Sequence, residues 1–168
     1  MTRRPRVIAL LAIAAAGFAA SAGAASPPFE GKVVVKGKSY DLKYAWMVRG
    51  ATKMSPNEVK TYVIAASEDV SEKIRKCEEV VCAIWDSVPN GIVIEPDTGG
   101  WWILVHDPDR KPSQFSGPTM HGTGWTETAS TPDRLAGRLV WKPMGDDPIF
   151  DFKVDAPLLK EFKKPPTK

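Results

Sequence analysis

Histidine and cysteine are scarce in this chain, with two of each among 168 residues. His106 and His121 stand without any repeated His-x-His or Met-x-x-Met spacing, so the soft-ligand array that a copper relay requires is not built into the sequence. The thiols of Cys77 and Cys82 lie in a C-x4-C arrangement, which lacks the tight C-x-x-C spacing of redox catalysts. Two further signatures are missing. There is no Gly-x-Ser-x-Gly elbow for a serine nucleophile and no Asp-x-Asp-x-Asp-Gly loop for calcium. Internal repeats and low-complexity blocks are absent as well, and no cofactor is expected.

Net charge is also lacking once the N-terminus is set apart. Of the 23 Lys and Arg, Arg3, Arg4 and Arg6 precede a small-apolar run over residues 7–20 that ends in Ser21-Ala22-Gly23-Ala24-Ala25. A basic start, a short apolar core and small residues at the end are the parts of a cleaved secretory signal peptide, expected over residues 1–25. The run is shorter than the roughly 20 apolar residues that cross a bilayer, so no integral membrane segment is expected after cleavage. The first cysteine is Cys77, far from the junction, which excludes a lipid-anchored lipoprotein. A soluble periplasmic protein is the expectation. Residues 26–168 then carry 20 basic against 20 acidic side chains, and a neutral domain has no long-range field to attract nucleic acid.

The remaining 143 residues suit a single domain with a real core. We place that domain at residues 26–160, followed by a flexible basic tail at 161–168 with Lys163, Lys164 and Lys168 among prolines. Lys36-Gly37-Lys38 reads as a tight hairpin turn. The strand after it, residues 39–48, alternates Tyr40, Leu42, Tyr44, Trp46 and Val48 against Ser39, Asp41 and Lys43. A loop over 50–57 turning at Ser55-Pro56-Asn57 precedes a strand at 58–66. Ser67-Glu68-Asp69 then starts a short helix with Val70, Ile74 and Cys77 on one side. Strands at 80–86, 91–95 and 101–106 follow, separated by Val88-Pro89-Asn90-Gly91 and Asp97-Thr98-Gly99-Gly100. One continuous helix over 68–85 is the alternative for the start of that stretch. Residues 107–124, rich in proline and glycine, form the longest irregular segment. Strands resume at 125–129, 137–142 and 149–155. The fold class is mainly β, an antiparallel β-sandwich of about eight strands with one short α-helix.

The Lys36-Gly37-Lys38 turn into its alternating strand, the Ser67 to Asp69 helix start, and the closing residues 136–139 and 150–156 together resemble small exported bacterial β-sandwich proteins of unassigned function. The resemblance implies a fold and a compartment and carries over no catalytic residue.

In an exported protein Cys77 and Cys82 are expected to be oxidised to a disulfide. Within one helix, residues five apart have Cα atoms about 8 Å apart, out of disulfide reach, so the bond requires the helix to end near Cys77. Six tryptophans are many for this length. Trp101 and Trp102, adjacent on a strand, must face opposite ways, bringing one of them to the surface or under the 107–124 segment. His106 and Asp107 open that segment, and Met120 and His121 lie within it. These six residues are the candidate binding site. Three functions remain: a non-enzymatic binding or interaction module for an unknown protein or small ligand, an inhibitor or immunity-type protein acting through 107–124, and a metal-binding or hydrolytic protein at His106 and His121 with Ser113 or Ser116 nearby. The neighbouring carboxylates Glu78-Glu79 and Asp146-Asp147 need not converge and support no glycosidase pair.

Overall fold

The computed structural model describes residues 29–106, 113–117, 124–142 and 148–163, and the chain is mainly β and mostly antiparallel. Its strands are β1 (Gly31–Val35), β2 (Lys38–Leu42), β3 (Tyr44–Thr52), β4 (Ser55–Ala66), β5 (Gly91–Glu95), β6 (Gly100–Val105), β7 (Ser113–Gly117), β8 (Thr126–Thr131), β9 (Arg134–Trp141) and β10 (Ile149–Glu161). Between β4 and β5 lie a six-residue helix, α1 (Ser71–Lys76), and a five-residue π-helical segment, Cys82–Asp86. Lys36 and Gly37 both have positive φ, 50° and 72°, the twist-matched geometry of a two-residue hairpin turn, and they set β2 against β1.

Long β10 organises the fold. Its first part, through Pro157, pairs antiparallel with β9 and with β1, placing β10 between them, while β2 and β8 lie outermost. Beyond Pro157 it pairs parallel with β3, joining Leu158 to Met47 and Lys160 to Val48. From β3 the antiparallel order continues through β4, β5 and β6 to β7. One chain segment thus ties two groups of strands together.

An apolar cluster is shared by both groups. Val33, Leu42, Leu139, Phe150, Phe152 and Val154 come from the first, and Met47, Val63, Ile92, Ile94, Trp101 and Ile103 from the second. Trp101 touches Phe150 at 4.9 Å and Trp141 at 5.3 Å between ring centres, both edge to face, and Phe152 meets Phe29 at 5.6 Å. The other face of β3 to β6 carries Trp46, Val48, Tyr62, Ile64 and Val93, which pack against Val70, Ile74, Val80, Ala83, Ile84 and Val88 of the helical cover and against Phe162. Most of β3, residues 62–66 of β4, and β5 are therefore buried on both faces, which is why β5 reads Ile-Val-Ile without alternation.

Several expectations are corrected. The single strand expected over 39–48 is two strands, because Lys43 leaves the ladder and its N–H donates to the Ala66 carbonyl at 2.9 Å. That irregular residue reverses the phase of the alternation, so Leu42 enters the shared cluster while Trp46 and Val48 face the cover. The expected turn at 55–57 is instead the start of β4, and the connection tightens to Lys53 and Met54. Residues 80–86 are helical rather than a strand: Val80, Ala83 and Ile84 stand at helical spacing and all are buried against the sheet. The alternative of one helix over 68–85 fails at Cys77, whose backbone is extended (φ −63°, ψ 138°). Residues 107–124 are not wholly irregular, since β7 lies within them, and ten strands stand among the described residues where about eight were expected. The domain also runs past residue 160, because β10 continues to Glu161 and Phe162 is 5% exposed.

Candidate functional site

Two tryptophans from separate elements form an aromatic shelf on the covered face of β3 to β6. The alternation of β6 turns Trp101 into the shared cluster, where it is 2% exposed, and turns Trp102 outward. Trp102 lies under Trp85, ring centres 5.2 Å apart and planes 15° apart, and edge-on to Tyr62 at 6.0 Å. Trp85 itself is 36% exposed. One face of its indole is therefore stacked on the protein while the side chain remains open to solvent, a large amphipathic contact surface of low entropy cost.

The segment that carries Trp85 is fastened at its first residue and closed by its own hydrogen bonds. The Cys77–Cys82 disulfide, with Cα atoms 5.6 Å apart, ties its first residue to the end of α1. This is the bond the sequence demands, and it forms because α1 stops at Lys76. It staples the helix end to a helical turn, not to a strand. Within the segment both the N–H and the hydroxyl of Ser87 donate to the Cys82 carbonyl at 3.1 Å. Lys160 donates to the Arg75 carbonyl at 2.7 Å and to that of Cys77, placing a cation where the helix leaves its last carbonyls unpaired. The same ammonium sits 4.7 Å above the Phe162 ring. Lys160 is thus a clamp on the cover.

Beside the shelf, on β4 and β5, Lys60 donates to the Glu95 carboxylate at 2.6 Å, with side chains 24% and 14% exposed. The bond to Glu95 holds the Lys60 ammonium above its ordinary pKa, and burial raises that of the Tyr62 phenol, with Glu95 adding to it. The indole N–H groups of Trp101, Trp102, Trp125 and Trp141 are buried without a partner among the described residues. Each such donor costs about 1–3 kcal/mol relative to a bonded one.

Of the six candidate site residues, Trp101 belongs to the core and Trp102 to the shelf. His106 is exposed, and its backbone N–H donates to the Asn90 side chain at 2.7 Å. Asp107, Met120 and His121 lie outside the described residues. Trp85 and Tyr62 were missed, the first because residues 80–86 read as a strand. Among the described residues no cluster of three His, Cys, Asp or Glu side chains could hold a metal ion. Glu79 is engaged by Lys53 at 2.7 Å.

Elsewhere, a cleft of about 830 Å³ opens between Phe29, Glu30, Lys32, Asp41, Lys43, Tyr44 and Asp151. Its carboxylates are largely spoken for, since Asp151 accepts two bonds from Arg138 at 2.9 Å and one from Lys142 at 3.2 Å, and Asp41 lies 3.7 Å from Lys32. Arg138 and Lys142 hold the Asp151 carboxyl below the usual range, and Arg134 does the same for Asp155. No described helix is long and apolar enough to cross a membrane. Comparison with protein-family models, with curated proteins and with solved structures found no match to this chain.

Proposed function

We propose that this chain is an exported, non-enzymatic binding or interaction module whose contact surface is the Trp85–Trp102 shelf. The observation that carries the reading is an indole 36% exposed yet stacked in a defined orientation on a second indole, on a segment fixed by a disulfide. A preorganised aromatic contact loses little entropy when a partner protein or small ligand closes over it. Export to the periplasm accords with the leader composition of residues 1–25 and with a disulfide, which persists in oxidising compartments. The neutral balance of residues 26–168 argues against nucleic acid as the partner. The apolar cluster shared by the two strand groups is the filling of a β-sandwich in this reading, the architecture of the exported bacterial proteins that the sequence resembles.

The test is capture of partners from a periplasmic extract with residues 26–168, comparing the native sequence with Trp85→Ala. A partner retained by the native chain and lost by the variant supports the shelf. Equal retention by both moves the contact elsewhere on the molecule.

A second reading, an inhibitor acting through residues 107–124, is favoured by β7. That strand lies inside the segment and pairs with β6 alone among the described strands, leaving its other edge to receive a partner strand. Deleting residues 118–123 with Trp85 in place tests the second reading: lost capture supports it, and unchanged capture does not.

A further inference from the structure

The fastening of Trp85 has a consequence for how the shelf responds to thiols. Helices shorter than about 12–15 residues are marginal in water, so a six-residue α1 and a five-residue π-helical segment depend on their attachments. Those of the second segment converge on one residue. Cys82 supplies the sulfur bound to Cys77 and the carbonyl that accepts both Ser87 bonds, and Trp85 follows it by three positions. Cutting the sulfur link leaves the segment held by the apolar contacts of Val80, Ala83 and Ile84, while the Ser87 bonds travel with it.

We propose that the Cys77–Cys82 disulfide is the latch of the aromatic shelf, and that a dithiol reductant opens it by releasing the 82–86 segment so that Trp85 leaves Trp102. The chemistry is thiol–disulfide exchange. Cys82 is partly exposed and Cys77 is 4% exposed, so the reductant's thiolate attacks the Cys82 sulfur. The Cys77 sulfur, 3.2 Å from the Ser87 oxygen, departs as a thiolate and takes up a proton from solvent. The reductant's second thiol then displaces Cys82 from the mixed disulfide. The protein gains two hydrogens and the reductant becomes a disulfide. The open form uncovers the Trp102 indole, whose N–H is buried without a partner among the described residues in the closed form.

This inference rests on the shelf geometry and needs no ligand, so it stands or falls apart from the binding reading. The test follows residues 26–168 before and after a dithiol reductant, with reduction verified by mass. The circular-dichroism signal of the stacked indoles is identified as the part that Trp85→Phe removes from the oxidised protein. In the reduced protein that part is expected to vanish. Amide exchange over residues 80–86 is expected to quicken about 5- to 30-fold while β4 and β5 stay protected. Verified reduction with signal and exchange unchanged overturns the proposal. A Cys77→Ala, Cys82→Ala double variant should match the reduced protein. If instead protection collapses throughout the strands, the bond holds the whole fold and the latch is rejected.

Discussion

The two faces of β3 to β6 are buried by different means. The inner face meets the side chains of β1, β2, β9 and β10, strands themselves held in a hydrogen-bonded ladder, and its aromatic rings lock edge to face around Trp101 and Phe150. The outer face is roofed by two helical pieces of six and five residues that carry their own fastenings: a disulfide, the Ser87 bonds and the Lys160 clamp. Area and interdigitation suffice on one side. On the other, short segments with little ladder support need point attachments, and the exposed aromatic surface arises there. Regions of low local stability are where functional contacts tend to be placed.

If that contrast is right, the inner face should be the costlier one to damage. Phe150→Ala removes a ring that is 2% exposed and touches both Trp101 and Phe152. A loss of about 3–5 kcal/mol is expected, read as a lower midpoint in urea with the whole protein unfolding in one transition. A loss below about 1 kcal/mol would mean that the shared cluster relaxes freely, and the contrast would dissolve.

The cover should fail locally and for less. Lys160→Met keeps an unbranched stem but removes the donor to the Arg75 and Cys77 carbonyls and the cation over Phe162. The expected cost is about 1–2 kcal/mol, and faster amide exchange should be confined to α1 and residues 80–86. An equal gain in exchange along β9 and β10 would show that cover and core unfold as one unit.

The same division decides what could be read from the chain. Where one face meets water the period-two pattern was legible, as in Phe150, Phe152 and Val154 against Asp151, Lys153 and Asp155, and the turns at Lys36-Gly37 and Asp97-Thr98-Gly99-Gly100 marked their hairpins. The Cys77–Cys82 bond followed from the expected export, and the reach of a disulfide then placed the end of α1 near Cys77. Lys43 was not legible, since one residue out of register leaves no compositional trace while it sends Leu42 and Trp46 to different clusters. Residues 80–86 misled because Val, Ile and Trp favour strands, and tertiary burial of Val80, Ala83 and Ile84 overrode that preference. Half of the shelf was therefore visible, Trp102 by its alternation with Trp101, and the other half, Trp85, was hidden in a segment assigned the wrong period.

The smallest effect sharpens the contrast from the solvent side, on the outward charges of β9 and β10. Asp151 is held below its ordinary pKa by Arg138 and Lys142, and Asp155 by Arg134. A carboxylate whose folded pKa lies below its unfolded value stabilises the fold at all pH values above the unfolded one, and that contribution is lost as pH falls through the folded value. Stability should hence decline below about pH 4, where the unfolded carboxylates begin to bind protons. The pairs are exposed, so each effect is modest and should shrink as salt rises. Asp151→Asn together with Asp155→Asn should flatten the acid limb of a plot of urea midpoint against pH and leave the neutral limb with nearly its original slope. Because these side chains face away from the cover, exchange over residues 80–86 should not follow the change. If it does, protonation on one side of the molecule loosens the roof on the other, and the two regions are coupled through β10, the strand they share.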